Sequence, residues 1–323
     1  MMPRLCLANL PTPVEHLPRL SAHLGLRVLV KRDDLTGVAM GGNKTRKLEY
    51  LLAEALSTGA RTLVTVGAAQ SNHCRQTAAL AARLGLACIL VLSGDESAAP
   101  SGNLLLDRMF GAEIVWTTRE QRSEALKAAF DRAWEAGRRP YLIPLGASNG
   151  LGAAAYSLAF DEMVEQTGNE SVDWIVVASS SGGTQAGLAL GARRRAFQGK
   201  VLGISIDHPA ADLAESVAFL ANEAASRLGT GTRVESRDVM VNADYLGGGY
   251  GVMGAAEREA IDLFARQEGL LLDPVYTGRA AAGMIDLARS GFFRPGETLL
   301  FWHTGGTPAL FAEPYQGMLL GDR

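Results

Sequence analysis

Short runs of consecutive apolar residues alternate along the chain with longer segments in which apolar positions recur every three or four residues. The runs at 28–30, 62–66, 87–92, 112–116, 141–143, 174–178, 201–206 and 298–302 read as buried strands, because a segment apolar at nearly every position leaves no face for water. The segments at 72–84, 103–110, 121–136, 152–165, 185–197, 209–228 and 255–267 read as helices. Strand followed by helix, repeated, predicts an α/β fold of parallel sheets covered on both faces. Residues 95–102, small, polar and containing Pro100, predict a surface loop. The chain has no internal repeat and no low-complexity tract.

Composition narrows the picture. With 323 residues, 47% of them hydrophobic, the chain can bury a sizeable core and has the length of about two domains. A net charge of −3 gives no electrostatic footprint for nucleic acid or an anionic membrane. No apolar run is long enough to span a bilayer, and Pro3, Arg4 and Pro11 interrupt the N-terminal stretch that a signal peptide would need. Cys6, Cys74 and Cys88 have no metal-ligand spacing and are odd in number for a disulfide framework. A cytoplasmic, reduced protein is expected.

Two glycine-rich segments carry the chemistry. The first, Gly41-Gly42-Asn43-Lys44-Thr45-Arg46-Lys47, follows a strand and offers an amine in a chain with only five lysines. Glycines let the backbone approach a flat ring, and burial of Lys44 would lower its pKa and free the amine as a nucleophile. The alternative is a solvated lysine in a turn. Lys47, beside Arg46 at a helix start, is expected to be solvated. The second segment, Ser179-Ser180-Ser181-Gly182-Gly183-Thr184, joins a strand to a helix, where converging amides and the Ser181 and Thr184 hydroxyls suit a phosphate. An aldehyde-bearing phosphate cofactor needs both segments, which points to pyridoxal 5'-phosphate. Gln70-Ser71-Asn72-His73 opens another helix and suits either a substrate carboxylate or an ordinary Ser71 cap.

Three other matches compete. Gly-Asn-Lys-Thr fails the nucleotide P-loop pattern, because Asn43 stands where that loop needs glycine. Gly146-Ala147-Ser148-Asn149-Gly150 matches a hydrolase nucleophile elbow with Asp207 and His303 following in order, so a serine hydrolase using Ser148 is the alternative from another enzyme class. Gly249-Tyr250-Gly251-Val252-Met253-Gly254, with Asp273 downstream, matches a dinucleotide fingerprint. The nearest apolar run, 239–241, stops short of it. His16, His23 and His208 read as surface or cap residues; His73 and His303 adjoin the loops of interest.

Taken together, Lys31-Arg32-Asp33-Asp34-Leu35-Thr36-Gly37, the Lys44 and Ser71 segments, Ser181-Gly182-Gly183-Thr184-Gln185-Ala186-Gly187, Asp273-Pro274-Val275-Tyr276-Thr277-Gly278 and His303-Thr304-Gly305-Gly306 resemble pyridoxal-phosphate enzymes of fold type II. The motifs span nearly the whole chain and are most similar to the branch of 1-aminocyclopropane-1-carboxylate (ACC) deaminase, D-cysteine desulfhydrase and L-cysteate sulfo-lyase. The resemblance implies a two-domain, tryptophan synthase β-like fold, with residues 1–49 and 156–323 forming the larger cofactor domain and 50–155 a smaller insert. It implies that Lys44 forms the Schiff base, that Asn72 bonds the cofactor's phenolic oxygen, and that Ser71 helps bind the substrate carboxylate. Ser181, Gly182, Gly183 and Thr184 would hold the phosphate, Tyr250 and Tyr276 would be active-site tyrosines, and the protein would be a homodimer.

Thr277 and Thr304 choose within that family. The resemblance places Thr277 near the pyridine nitrogen, where ACC deaminase carries a glutamate, and Thr304 where deaminases carry leucine. Threonine at both positions is similar to the desulfhydrase. A carboxylate at the ring nitrogen strengthens the electron sink, which opening a cyclopropane demands more than expelling a thiol. The expected activity is β-elimination from a small amino acid, D-cysteine first, with L-cysteate sulfo-lyase and ACC deaminase as rivals. Met253-Gly254 departs from relatives that carry a proline soon after the tyrosine loop.

Overall fold

A computed structural model describes residues 2–96, 99–168, 170–313 and 315–320. The strands are β1 Val14–His16, β2 Arg27–Arg32, β3 Thr62–Ala68, β4 Ala87–Ser93, β5 Glu113–Thr117, β6 Pro140–Leu142, β7 Trp174–Ser179, β8 Lys200–Ser205, β9 Met240–Asn242 and β10 Thr298–His303. The helices are α1 Pro18–Leu24, α2 Asn43–Ser57, α3 Asn72–Leu84, α4 Gly102–Met109, α5 Arg122–Glu135, α6 Gly150–Thr167, α7 Gly183–Arg194, α8 Ala210–Leu228, α9 Ala255–Glu268, α10 Thr277–Arg289 and α11 Tyr315–Leu320.

Two sheets result. The larger has the order β1-β2-β10-β7-β8-β9 and the smaller β5-β4-β3-β6. Every pairing is parallel except the antiparallel edge pair of β1 with β2. Successive side chains of a strand point to opposite faces. Leu299 and Phe301 of β10 accordingly pack in one core and Leu300 and Trp302 in another. In the smaller sheet, Leu63, Leu90 and Leu92 face one core while Val64, Val66, Ile89 and Val91 face the other. Both sheets are covered on both faces, which is why their strands read as unbroken apolar runs.

Strands of the smaller sheet fall within 62–142, and those of the larger lie before 33 and after 173. The boundaries expected at 49/50 and 155/156 fall inside α2 and α6, so these two helices run through the junctions between the sheets. The expected strands and helices form close to the positions that patterning assigns them, and residues 72–84 coincide with α3. Patterning did not assign α2 or α10. In α2 the first turns are polar yet buried, including Thr45, Arg46, Lys47 and Glu49. In α10 most residues are small and buried, and even Arg279 is buried, so few residues mark the helix as a surface element. Of the polar segment 95–102, Ser97 and Ala98 lie outside the described residues, while Asp95, Glu96, Ala99 and Pro100 are exposed.

A buried carboxylate sets the pose of α2. Asp33, just after β2, accepts hydrogen bonds from Thr12 Oγ1 (2.9 Å), Arg46 Nε (3.0 Å), Arg46 Nη2 (2.9 Å), Tyr156 Oη (2.6 Å) and Trp302 Nε1 (2.8 Å). Burial alone would push Asp33 up, but the Arg46 charge and these donors outweigh it and hold the carboxyl below its usual range. Glu162 of α6 pairs with both Arg46 and Lys31, extending the network. Asp33→Ala leaves Arg46, Tyr156 and Trp302 short of an acceptor. It is expected to destabilise the protein by about 3–5 kcal/mol, read as a lower midpoint in chemical denaturation.

Candidate active site

The cleft between the two sheets is lined from both. The smaller sheet contributes Ser71 and Asn72 at the start of α3. The larger contributes Ser179 to Gly182 and Thr184 at the β7–α7 junction, Tyr250, Tyr276 and Thr304; Asn43 and Lys44 enter at the start of α2. Lys44, Tyr276, Tyr250, Ser71, Asn72, Ser181, Gly182, Thr184 and Thr304 therefore meet in one pocket, though they lie in six separate stretches of chain.

Lys44 sits in the first turn of α2, with its Nζ donating to Gly146 O at 3.3 Å. No carboxylate pairs with it among the described residues, and burial lowers its pKa to about 8. Lys47, one turn on, is a correction to the solvated residue expected from sequence: it is 0% exposed. Its Nζ donates to Gly146 O and Ser148 Oγ, each at 3.4 Å, and lies 5.8 Å from the centroid of the Tyr156 ring. Burial, then the neighbouring Lys44 charge, pushes its pKa well down. Arg46 beside it points the other way, to Asp33, because residues one apart on a helix face different directions.

Lys47 packs behind the start of α7, the segment expected to hold a phosphate. Gly182 caps α7 with φ 76° and contributes no capping side chain, so no side chain closes the start of the helix, where Gly183 N donates to Ser181 O at 3.0 Å. Ser181 and Ser148 share a hydrogen bond of 2.8 Å, and Asn43 Nδ2 donates to Thr184 Oγ1 at 3.0 Å. A Cβ on Gly183 would sit 2.5 Å from Ser148 Oγ and 3.0 Å from Lys47 Nζ, so glycine is required there. Two buried amines and a helix N-terminus converge without a carboxylate bonded to either amine, an arrangement that fits a phosphate.

On the opposite side, Tyr250 and Tyr276 share a 2.6 Å hydrogen bond between their hydroxyls, their rings edge to face. Burial raises both phenols, Tyr250 to about 12, and Tyr276 further with the Tyr250 charge adding to the effect. Ser71 caps α3, accepting from Cys74 N at 3.2 Å, and also lines the pocket. His73 Nε2 meets Thr65 Oγ1 at 2.8 Å, and that hydroxyl donates to Ile143 O; His73 Nδ1 is buried without a partner among the described residues. Burial, with Lys44 and Lys47 nearby, holds His73 neutral.

Other expected residues stand apart from the pocket. Thr277 is fully buried; its hydroxyl donates to Asp273 Oδ1 and accepts from Asp273 N, both at 2.7 Å, and it does not line the cleft. Ser148 bonds Ser181, Lys47 and Gly146, with no histidine among its partners, which leaves the hydrolase triad unformed. His303 instead accepts from Gly305 N at the end of β10. The 249–254 loop does not leave β9 directly, since β9 ends at Asn242. Among the described residues no cluster of His, Cys, Asp or Glu suits a metal ion, and no helix is long and apolar enough to cross a membrane. Patterning also missed the cleft mouth, where Arg119, before α5, reaches Asp207, after β8, at 3.7 Å. No local signal in sequence pairs residues so far apart.

The open sheet pair, the buried amine and the anion cup define a pyridoxal-phosphate enzyme. The family model for pyridoxal-phosphate dependent enzymes matches residues 5–305, and the chain belongs to that family, with pyridoxal phosphate as its cofactor. Across 317 residues, 96% of both chains, it is 44% identical to D-cysteine desulfhydrase of Klebsiella pneumoniae (strain 342). A solved structure described as an ACC deaminase homologue superposes with a TM-score of 0.90 at 39% identity, covering 99% of this chain and 96% of the other. A solved threonine deaminase from T.th. shares the fold, with a TM-score of 0.64 at 24% identity over 91% of this chain and 92% of the other.

Two tests follow from the lysines. Lys47→Met removes the buried amine beside Ser148, just behind the start of α7. It should raise the cofactor's dissociation constant about 10- to 100-fold, measured by titrating the cofactor-free protein with pyridoxal phosphate. Because the Lys44 pKa lies near 8, its neutral amine becomes more abundant as pH rises through that value. The rate of cofactor uptake should therefore climb between about pH 7 and 9 and then level off, followed by absorbance.

Proposed function

We propose that this protein is a lyase that β-eliminates a small amino acid, D-cysteine before others, to sulfide, pyruvate and ammonia. The observation that carries the proposal is the buried, carboxylate-free Lys44 amine facing a protonated tyrosine pair across one pocket. The 44% identity with a D-cysteine desulfhydrase supports the substrate. The cofactor, when bound, supplies an electron sink that makes the substrate's Cα proton acidic.

The chain's own residues do the rest. Ser71 and the positive end of the α3 helix it caps receive the substrate carboxylate, the same helix-terminus physics that serves the phosphate at α7. Lys44, with its amine neutral in part at physiological pH, takes the Cα proton. Tyr250 and Tyr276 stay protonated and can hold the departing sulfur or give it a proton. Ser181, Gly182, Gly183, Thr184 and Lys47 anchor the phosphate, and Asn72 faces the ring from α3. Thr304 lines the pocket, and the family resemblance implies threonine there in desulfhydrases and leucine in deaminases.

ACC deamination is the second reading, favoured by the ACC deaminase homologue at TM-score 0.90. Thr277 argues against it: its hydroxyl is committed to Asp273 and brings no charge to the ring nitrogen. We also propose that the two sheets mark two domains divided near residues 49 and 155, supported by the grouping of strands. A homodimer in the cytoplasm completes the reading, supported by the family resemblance and by the free thiols of Cys6, Cys74 and Cys88, which suit a reducing compartment.

Steady-state rates on D-cysteine, L-cysteate and ACC separate the candidates. D-cysteine should give the highest kcat/KM, and a dominant rate on ACC would overturn the choice. Lys44→Ala should lower kcat by about 1000-fold or more, since it removes both the attachment point and the base. Full turnover in that variant would falsify the scheme.

A further inference from the structure

We propose that Asn103 is a positioning residue for the cofactor: it fixes the amide of Asn72 so that a hydrogen-bond donor, and never an acceptor, faces the pocket. The proposal rests on the reading that Asn72 bonds the cofactor's phenolic oxygen.

Donor and acceptor parity carries the argument, starting at Arg75 of α3. A guanidinium has only donors. Fully buried, Arg75 gives Nη1 to Asn103 Oδ1 at 3.0 Å and Nη2 to Gly41 O at 2.7 Å, just ahead of Lys44. Asn103, in the first turn of α4 and also fully buried, must therefore turn its carbonyl toward Arg75. Its amide nitrogen then gives one hydrogen to Gln70 O at 2.8 Å, a backbone carbonyl that demands the same orientation. The other goes to Asn72 Oδ1 at 2.9 Å. The backbone amide of Asn103 bonds Gln70 Oε1 at 2.8 Å, so the side chain cannot drift.

The oxygen of Asn72 is thereby taken. Its Nδ2 has no hydrogen-bond partner among the described residues, and Asn72 lines the pocket. Gly306, at φ 112°, keeps room for it: a Cβ there would sit 2.7 Å from Asn72 Nδ2. Behind the chain stands Asp107 of α4, fully buried, whose carboxyl oxygens have no hydrogen-bond partner among the described residues, as is true of Arg75 Nε. Burial pushes Asp107 up to about 8 and Arg75 down to about 10, and each shift is partly offset by the other group across the gap. The sequence Arg75, Asn103, Asn72 thus passes a fixed polarity from a buried cation to the cofactor, and the ligand atom at its end must be an acceptor. A donor at the phenolic oxygen stabilises its ionised form, and most strongly when the neighbouring Schiff-base nitrogen is unprotonated.

The test uses the cofactor-loaded protein and reads the pH midpoint of its visible absorption band, together with the cofactor's dissociation constant. Asn103→Asp keeps the shape and the bond from Arg75 but cannot donate. Asn72 then turns its nitrogen to the new carboxylate and its oxygen to the pocket. The midpoint should rise by about one pH unit and the dissociation constant by about tenfold. The charged groups already facing Asn72 are Lys44, Arg75, Asp107 and Asp273, and Asn103→Asp adds a carboxylate to them, so the uncharged Asn103→Ala is measured beside it as the control for added charge. If it does not fold, Asn103→Ala carries the test, with a smaller rise in the same direction. Asn72→Ala should raise the midpoint by itself, and adding the uncharged Asn103→Ala to it should shift nothing more. A lowered thermal midpoint with the band's pH midpoint unmoved in both Asn103 variants, while Asn72→Ala moves it, overturns the proposal. An unmoved band in Asn72→Ala overturns instead the reading of Asn72 on which it rests.

Discussion

The donors gathered around one buried carboxylate hold the active site in register. Asp33 draws Arg46 from α2, Tyr156 from α6, Trp302 from β10 and Thr12 from the strand-leading segment around a single side chain. Removing a charge from water is costly, and only a full set of donors offsets the cost. The set is full here, so α2 has one favourable rotation about its axis. That rotation sends Arg46 into the network and Lys44 and Lys47 to the cleft. A helix turned by one residue would expose both amines and bury the wrong charge.

Much of the fold was legible because the sheets are buried on both faces. Runs such as 87–92 and 298–302 have no polar alternation to confuse with a solvated helix, and glycines or capping residues punctuate their ends. What patterning missed has a physical reason in each case. The first turns of α2 are polar but buried, so an amphipathic reading places Lys47 in water when a tertiary pocket surrounds it. The residues of α10 are mostly small and buried on nearly every side, so few long apolar side chains mark it as a helix. The proposed domain division near residues 49 and 155 passes through α2 and α6, helices that run from one sheet toward the other.

The site was more legible than the geometry within it. Lys44, Ser71, Asn72, the Ser181–Thr184 cup and the two tyrosines announce themselves through glycine-rich turns and their resemblance to one family, and they converge in one pocket. Thr277 belongs to the same motif, yet it folds back on Asp273 and out of the lining. Local sequence says which residues gather near a loop; it does not say which way a hydroxyl turns once a stronger acceptor is beside it. The placement of Lys47 behind the cup and the Arg119–Asp207 contact at the cleft mouth depend on packing between distant segments, and no short-range signal carries them.

The central claim is that Lys44 holds pyridoxal phosphate and that the loaded protein eliminates sulfide from D-cysteine. The most direct measurement is the visible absorption spectrum of the purified protein before and after D-cysteine is added, with sulfide and pyruvate assayed in the same cuvette. The account predicts a Schiff-base band that shifts or decays as both products appear. A colourless protein that also fails to take up added pyridoxal phosphate would contradict it.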